Sequence, residues 1–434
     1  VGDAQVPSVE VIRPAGDYRS LEREPLTDVT GSLVGALGLA PPLLIRRVLQ
    51  EMRESPDQPL AERLAALAEG GRLFATATLD GETPEAYCTA QSRVSGVPIR
   101  AAHRGLGFIA SAAAAMPSIL RAQVPRGVKT TMAEAPPGVS AIWTRRGRLL
   151  AVLAPGNHPL PHYEWLVAVA LGYRVAVRPS RRDPFTPRRL VRALRAAGID
   201  PGHLALLPAD HAGAGVLAAE ADLALVYGGD EVVRAHAGDP RVAVRGPGRA
   251  KTFIGRDVAW RDHLDLLVEA VAADGGVQCL NTTTVLVDGD TGPVAAALDE
   301  RLRALPDLPP CDHAAALPVQ PVKEARRITE AVGGTCTDLG DGSAVLRPLV
   351  REVGDGPRPE MPFPCAWVAP WTPGSLNDSL VVTLLTGDTS LVSACLDEPT
   401  IRSVHRGPSP TTESQPNGHL AAFLMESTSF RRAS

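Results

Sequence analysis

Between residues 148 and 237 the chain repeats a pattern that few folds accommodate, in which short, largely apolar runs alternate with helical ones. Residues 149–153, 173–177, 203–207 and 223–227 read as strands, and 162–172, 186–197, 213–220 and 230–237 as the helices that follow them. Strands that are apolar on both sides need cover on both faces, so this order predicts a doubly wound, parallel α/β sheet. Ligands on such sheets bind at the carboxyl ends of the strands. Three of those ends are unusual: Ala154-Pro155-Gly156-Asn157-His158-Pro159, Arg178-Pro179-Ser180-Arg181-Arg182 and Tyr227-Gly228-Gly229-Asp230. The same residue types also build plain turns, and no G-x-G-x-x-G fingerprint accompanies them.

A second α/β unit runs from residue 252 to about 347. It opens with an amphipathic helix over 260–273 (Leu264, Leu267, Val268, Val271), and a strand over 282–287 and a helix over 294–305 follow. Between helix and strand lies Ala273-Asp274-Gly275-Gly276-Val277-Gln278-Cys279-Leu280-Asn281. Cys279 thus sits on a helix-to-strand loop beside two glycines, where a ligand can approach the backbone and the Cys279 N–H can face the carbonyl that its sulfur attacks. A buried, inert thiol is the other reading of the same residues. A strand over 366–369, a helix or strand region over 380–396 and a C-terminal segment over 420–430 complete the unit.

The N-terminal third reads differently. Residues 1–25 are polar, with one strand-like run at 9–12. Residues 30–68 carry a helical spacing divided by Pro41, Pro42, Pro56 and Pro59, and 101–124 form an alanine-rich helical stretch. The expected organisation is a helical N-terminal region with a nucleotide-binding domain (1–247, core 148–247), a catalytic domain carrying Cys279 (248–405), and a C-terminal segment (406–434) that packs back or lies at an oligomer interface.

Composition narrows the partners. With 44% apolar and 21% charged residues and a net charge of -4, nothing recommends a nucleic acid or an acidic membrane. Lysines number three among 44 basic residues, which reads as genomic base composition. The six cysteines are scattered without a C-x-x-C pair, so neither a disulfide framework nor a metal site is expected. No secretory signal is visible and the longest apolar run, 165–172, is too short to span a bilayer, so a cytoplasmic location is the expectation.

Taken together, the loops resemble the aldehyde dehydrogenase superfamily from about residue 148 onward. Gly276-Val277-Gln278-Cys279 is similar to that family's nucleophile motif, and Pro155-Gly156-Asn157-His158-Pro159 resembles its Pro-Trp-Asn-x-Pro loop. Arg178-Pro179-Ser180-Arg181 corresponds to Lys-Pro-Ser-Glu, Gly228-Gly229 to a Gly-Ser turn, and Glu360-Met361-Pro362-Phe363-Pro364 to Glu-x-Phe-x-Pro with one extra residue. The resemblance implies a Rossmann-type nucleotide domain beside a second α/β catalytic domain. It also implies Cys279 as nucleophile and Asn157 with the Cys279 N–H as oxyanion donors. Pro155, Arg178, Ser180, Arg181, Gly228, Gly229, Glu360 and Phe363 become the cofactor contacts, and a homodimer or tetramer is implied, with 124–148 building a bridging hairpin.

Two departures set the expected chemistry. Where hydrolytic members carry a Glu-Leu-Gly-Gly-Lys stretch with the general base, this chain reads Arg245-Gly246-Pro247-Gly248-Arg249-Ala250-Lys251, without a carboxylate. Loss of such a base slows attack by water by about 10²–10⁴-fold. The resemblance then favours the acyl-CoA reductase branch: reduction of an acyl thioester, on CoA or an acyl carrier protein, to an aldehyde. Alternatives are oxidation of an aldehyde to an acid, with Glu231 or Glu360 as base, a non-redox acyltransferase using Cys279, and a non-catalytic binding member. The second departure is Arg181 where the family often has Glu. With Arg178 and Arg182 it offers planar donors to a 2′-phosphate, which predicts NADPH over NADH unless these are solvated surface arginines. His158, His162, Glu164 and Trp165 read as packing or surface residues, and Cys365 and Cys395 as buried thiols.

Overall fold

The computed structural model describes residues 8–354, 356, 358–413 and 420–432. Its larger sheet has seven strands in the order Val242–Arg245, Leu223–Tyr227, Leu149–Leu153, Arg174–Arg178, Leu204–Leu206, Val11–Arg13, Gly16–Tyr18. The first five run parallel, and the last two are antiparallel additions from the N-terminal region. Side chains alternate between two cores. Leu150, Val152, Val175, Val177, Leu204, Leu206 and Leu225 enter the one shared with helices Leu60–Thr76, Ile99–Ala114 and Phe185–Ala196. The smaller Ala151, Ala176, Ala205 and Ala224 enter the other, under Pro42–Glu54 and His211–Glu220. Each fully buried Leu or Val contributes about 1.5–3 kcal/mol relative to exposure, so an apolar run of this kind leaves no alternative to cover on both faces.

From Leu149–Leu153 the chain steps outward to Arg174–Arg178 and Leu204–Leu206, then returns to the opposite side as Leu223–Tyr227. The strand order therefore reverses between Leu149–Leu153 and Leu223–Tyr227. Ligands bind beyond such a reversal in sheets of this kind, and here the Pro155–Gly156–Asn157 and Gly228–Gly229 loops follow the two strands on either side of it.

The second sheet has six parallel strands in the order Leu349–Glu352, Cys365–Pro370, Thr282–Val287, Ala250–Ile254, Val382–Leu385, Val404–Arg406. Helices Leu264–Ala272 and Gly292–Arg303 cover one face through Leu267, Val271, Val294 and Leu298, and Thr389–Asp397 covers the other through Leu391, Val392 and Cys395.

Several expectations need correction. The N-terminal third is not a helical layer alone: Leu33–Gly38 is a strand between Ser8–Val9 and Arg23–Thr27. Leu33 and Leu37 stand four residues apart, which suits a helix, but Leu37 is buried and Leu33 is exposed, while Gly35 and Gly38 favour extended backbone over helix. Helix Pro84–Ser95 and strand Val242–Arg245 occur where none was expected. Two expected helices open as 3₁₀ turns, Leu160–Tyr163 before Glu164–Ala170 and Trp260–His263 before Leu264–Ala272.

The expected hairpin within 124–148 is absent in that form. Gly138–Arg145 pairs instead with Met425–Arg432, antiparallel over their whole length from Met425 opposite Arg145 to Arg432 opposite Gly138. Of the C-terminal segment, 414–419 and 433–434 lie outside the described residues. Among the described residues no single helix is long and apolar enough to cross a membrane. Ile99–Ala114 and Met116–Gln123, apolar enough together, are bent by 61° and bury Ile109, Ala113, Met116 and Leu120 in the main core.

Candidate active site

The loop that carries Cys279 makes three successive left-handed turns of backbone, at Asp274 (φ 52°), Gly275 (φ 87°) and Gly276 (φ 67°). At a non-glycine residue this costs about 1–3 kcal/mol, and neighbours must impose it. The Asp274 carboxylate supplies the ties: it accepts from His158 Nε2 at 2.9 Å and Gln278 Nε2 at 2.9 Å, and Arg104 lies 3.4 Å away. Burial alone would raise the Asp274 pKa, but the hydrogen bond and charge of His158, with Arg104 and Arg100, hold it below the usual carboxylate value. Asn281 fastens the other end, accepting from Gln278 N–H at 2.8 Å and donating to the Ala270 and Ala273 carbonyls, each at 3.2 Å.

Two glycines admit the loop to its place. A Cβ on Gly276 would overlap the Pro364 backbone, and one on Gly248 would overlap the Cys279 carbonyl. Gly248 belongs to the connection between the two sheets, so the nucleophile is seated against the seam between them. From the first sheet Asn157 reaches across and donates Nδ2–H to the Val277 carbonyl at 2.7 Å. Its amide has a second hydrogen, and Asn157 is exposed, so a donor stands beside Cys279 for a developing oxyanion.

Cys279 is half-buried against Ala250, Leu280 and Val381. Burial, followed by the charges of Glu360 and Glu164, pushes its thiol up to about 12. Glu360 accepts from the Arg249 N–H at 2.8 Å, and its own pKa is raised by burial. The second carboxylate was not expected here. Glu164 opens helix Glu164–Ala170, Arg245 Nε lies 3.0 and 3.1 Å from its two oxygens, and the Tyr227 hydroxyl also donates to it. Sequence separation hides this cluster: Glu164, Tyr227 and Arg245 come from three different elements and share no motif.

The expected cofactor contacts divide into two groups. Pro155, Gly228 and Gly229 follow the strands on either side of the reversal, and nothing lies within 4 Å of the position a Gly229 Cβ would take, so backbone is open to a ligand there. Gly228 packs against Val232 as turn chemistry requires. Ser180 Oγ accepts from the Arg182 N–H at 3.2 Å and sits against Gly156, which joins the first two loops. Arg178 donates from Nε to the Ala209 carbonyl at 3.0 Å, Arg181 is ion-paired with Glu24 of strand Arg23–Thr27, and Arg182 donates to the Ser95 carbonyl at 3.2 Å. The arginines are therefore already engaged by protein partners, as their sequence alone does not reveal.

Phe363, expected as a cofactor contact, is 1% exposed inside the cluster of Ile328, Leu346 and Trp367. His162 is buried, accepts from Trp165 Nε1 at 3.2 Å and is shifted by burial down to about 3, so it packs as a neutral ring. His158 belongs to the strut under the nucleophile loop. Among the described residues no group of three His, Cys, Asp or Glu side chains could hold a metal ion.

A cysteine loop at the seam of two α/β sheets, tied by an amide from the first sheet, is the arrangement to be compared with known proteins. The aldehyde dehydrogenase family model matches residues 62–336, and the chain belongs to that family of oxidoreductases acting on aldehyde groups. No curated protein sequence matches it. Among solved structures, the aldehyde dehydrogenase KauB from Pseudomonas aeruginosa is 15% identical with a TM-score of 0.81, covering 99% of this chain and 98% of that one. A mutant of the P. syringae AldA indole-3-acetaldehyde dehydrogenase, in complex with NAD+ and IAA, is 16% identical with a TM-score of 0.79, covering 98% and 96%. A NAD-dependent benzaldehyde dehydrogenase from Corynebacterium glutamicum is 16% identical with a TM-score of 0.75, covering 99% and 100%. At these identities the likeness is one of fold.

Proposed function

We propose that the chain oxidises an aldehyde to an acid with a nicotinamide dinucleotide, through a covalent Cys279 adduct. The observation that carries this reading is the 2.7 Å hydrogen bond from Asn157 to the Val277 carbonyl, which holds an amide donor next to Cys279. Cys279 attacks the aldehyde carbon, and Asn157 Nδ2–H with the Cys279 N–H receives the oxygen as it gains charge. The open Gly229 backbone, at the strand reversal, fits a dinucleotide, which when bound accepts hydride from the carbon attached to sulfur. Solved relatives in complex with NAD+ support the same cofactor class.

NAD+ is favoured over NADP+ on charge. Arg181 is ion-paired with Glu24, and Arg178 is half-buried with Glu24 and Asp210 as the nearby anions, so the basic surplus that a 2′-phosphate needs is largely offset. The NADPH expected from the arginines alone becomes the competing outcome.

A second reading keeps the same cysteine but reduces an acyl thioester, carried on CoA or a carrier protein, to an aldehyde. It is favoured by the stretch 245–251, which contains no carboxylate to activate water. Both are tested by following cofactor absorbance with each of NAD+ and NADP+ over a panel of aldehydes, and with NADH and NADPH over a panel of acyl-CoA thioesters, with Cys279→Ala in parallel. Aldehyde-dependent NAD+ reduction that disappears in Cys279→Ala supports the first reading. Thioester-dependent cofactor oxidation, without aldehyde-dependent reduction, replaces it with the second.

A further inference from the structure

The Asn157 amide meets the nucleophile loop through its hydrogen bond to the Val277 carbonyl, at 2.7 Å. One bond sets a distance but leaves the donor free to turn about it. The next residue supplies a second tie: His158 Nε2 lies 2.9 Å from Asp274 Oδ2, three positions before Val277. Two adjacent residues of the first-sheet loop thus grip two acceptors of the Cys279 loop, and a pair of bonds fixes angle as well as distance. Which ring nitrogen donates is set locally. The Leu160 N–H can only donate, and it lies 3.1 Å from His158 Nδ1, so Nδ1 accepts and the proton that faces Asp274 is the one on Nε2.

The two residues differ in exposure. Asn157 is exposed, where a substrate can meet its second amide hydrogen, whereas His158 and Asp274 are each 1% exposed. A hydrogen bond to a carboxylate shielded from water is stronger than one at the surface. Helix Ile99–Ala114 backs the pair: its Arg104 lies 3.4 Å from the same Asp274 oxygen, and its Gly105 just admits Pro159, whose ring a Cβ would overlap. His158 stands at the position that the Pro-Trp-Asn-x-Pro loop leaves open, and Asp274 lies outside the nucleophile motif, so this tie belongs to the present chain. We propose that His158 is a positioning residue, which by donating to Asp274 holds the Asn157 amide at the angle that receives the oxygen of a carbonyl attacked by Cys279. This rests on the roles given to Cys279 and Asn157 in the proposed function. Buried as it is, His158 acts through Asn157 and not on the substrate.

Two reagents separate this role from support of the fold. p-Nitrophenyl acetate transfers its acetyl group to the Cys279 sulfur through a tetrahedral oxyanion, with loss of nitrophenolate. Methyl methanethiosulfonate methylthiolates the same sulfur with loss of methanesulfinate and has no carbonyl. The ratio of the two rates at Cys279, read by peptide mass spectrometry at one pH, cancels the thiolate fraction that both share and leaves the oxyanion contribution. Asn157→Ala should lower this ratio by about 10²–10³-fold, as loss of an oxyanion donor does. The two amide replacements of His158 should then part company. In His158→Gln the amide nitrogen takes the place of Nε2 and keeps the bond to Asp274 while giving up that to Leu160. In His158→Asn the amide is too short to reach Asp274 but still accepts from the Leu160 N–H. His158→Gln should retain most of the parent's ratio, and His158→Asn should lose about 10²-fold, the cost of about 1 Å of misplacement. Circular dichroism reports that each variant keeps its backbone fold. A parental ratio in His158→Asn, or a loss in His158→Gln as large as that in His158→Asn, overturns this inference alone, because the tie to Asp274 is then not what orients Asn157. A ratio unchanged in Asn157→Ala overturns the oxyanion role beneath it.

Discussion

Cys279 rests as a thiol. Burial and the neighbouring Glu360 and Glu164 push it up to about 12, against about 8.5 for a free cysteine, so at neutral pH its thiolate is scarcer by about three orders of magnitude. Alkylation by iodoacetamide, followed by peptide mass spectrometry, should therefore be slow at pH 7 and accelerate about tenfold per pH unit toward the alkaline range. The direction follows from the sign of the shift: a raised acidity constant keeps the proton on sulfur until higher pH. Gly248 sets a second residue-scale expectation. Gly248→Ala forces the Cys279 carbonyl aside, and a displacement of about 1 Å at the nucleophile costs about 10²-fold in turnover. The melting temperature should change far less than the rate, and calorimetry beside steady-state kinetics checks the split. The loops carrying Cys279 and Asn157 were legible because their glycine- and proline-rich sequence marks turns, and the structure brings the two loops into contact. The Glu164–Arg245 pair was not, because its members lie 81 residues apart and no local pattern encodes that meeting.

At the scale of elements, the nucleophile loop is held in left-handed backbone by the Asp274 carboxylate. Since the Asp274 pKa is depressed in the folded chain, its stabilisation is complete above the unfolded value, about 4, and is lost as pH falls through the lower folded value. Asp274→Asn, which tolerates the same backbone, should cost about 1–3 kcal/mol at neutral pH by weakening hydrogen bonds to a charged group. The difference from the parent should shrink below about pH 4, and urea unfolding at stepped pH measures it. Sequence reading succeeded for elements whose two faces are alike: Leu149–Leu153 and Leu223–Tyr227 are apolar and Thr282–Val287 is β-branched at all but one position, all three are buried nearly throughout, and they have the expected bounds. It failed where burial is partial or polar. Val242–Arg245 is an edge strand of intermediate exposure ending in arginine, and Pro84–Ser95 buries Gln91, Ser92 and Ser95, which an apolar periodicity cannot register despite the Thr83 cap and Pro84 that mark its start.

At the scale of the molecule, the first parallel sheet and a second α/β unit after it were legible from the alternation of strands and helices, whereas strands Ala250–Ile254, Leu349–Glu352 and Val404–Arg406 of the second sheet, and the pairing of Gly138–Arg145 with Met425–Arg432, were not. That pairing joins segments about 280 residues apart, and local sequence carries no record of so distant a partner. Most of Met425–Arg432 is exposed, and we propose that this ribbon builds the interface of a homo-oligomer. Truncation after Leu424 should lower the molar mass seen by light scattering to that of one chain, with the Cys279 loop left intact by alkylation mapping. A truncated chain that keeps the parent's mass places the interface elsewhere.

The Asn157 to Val277 contact has a consequence for how this catalyst would fail. Its two halves ride on separate sheets, so the donor and the sulfur keep their spacing only while the two bodies stay docked. Parting of that seam ahead of either sheet would leave molecules that look folded by their backbone signal yet are chemically silent. Selection for a working enzyme therefore acts on a joint, and a substitution far from any substrate can be lethal to turnover merely by letting that joint breathe.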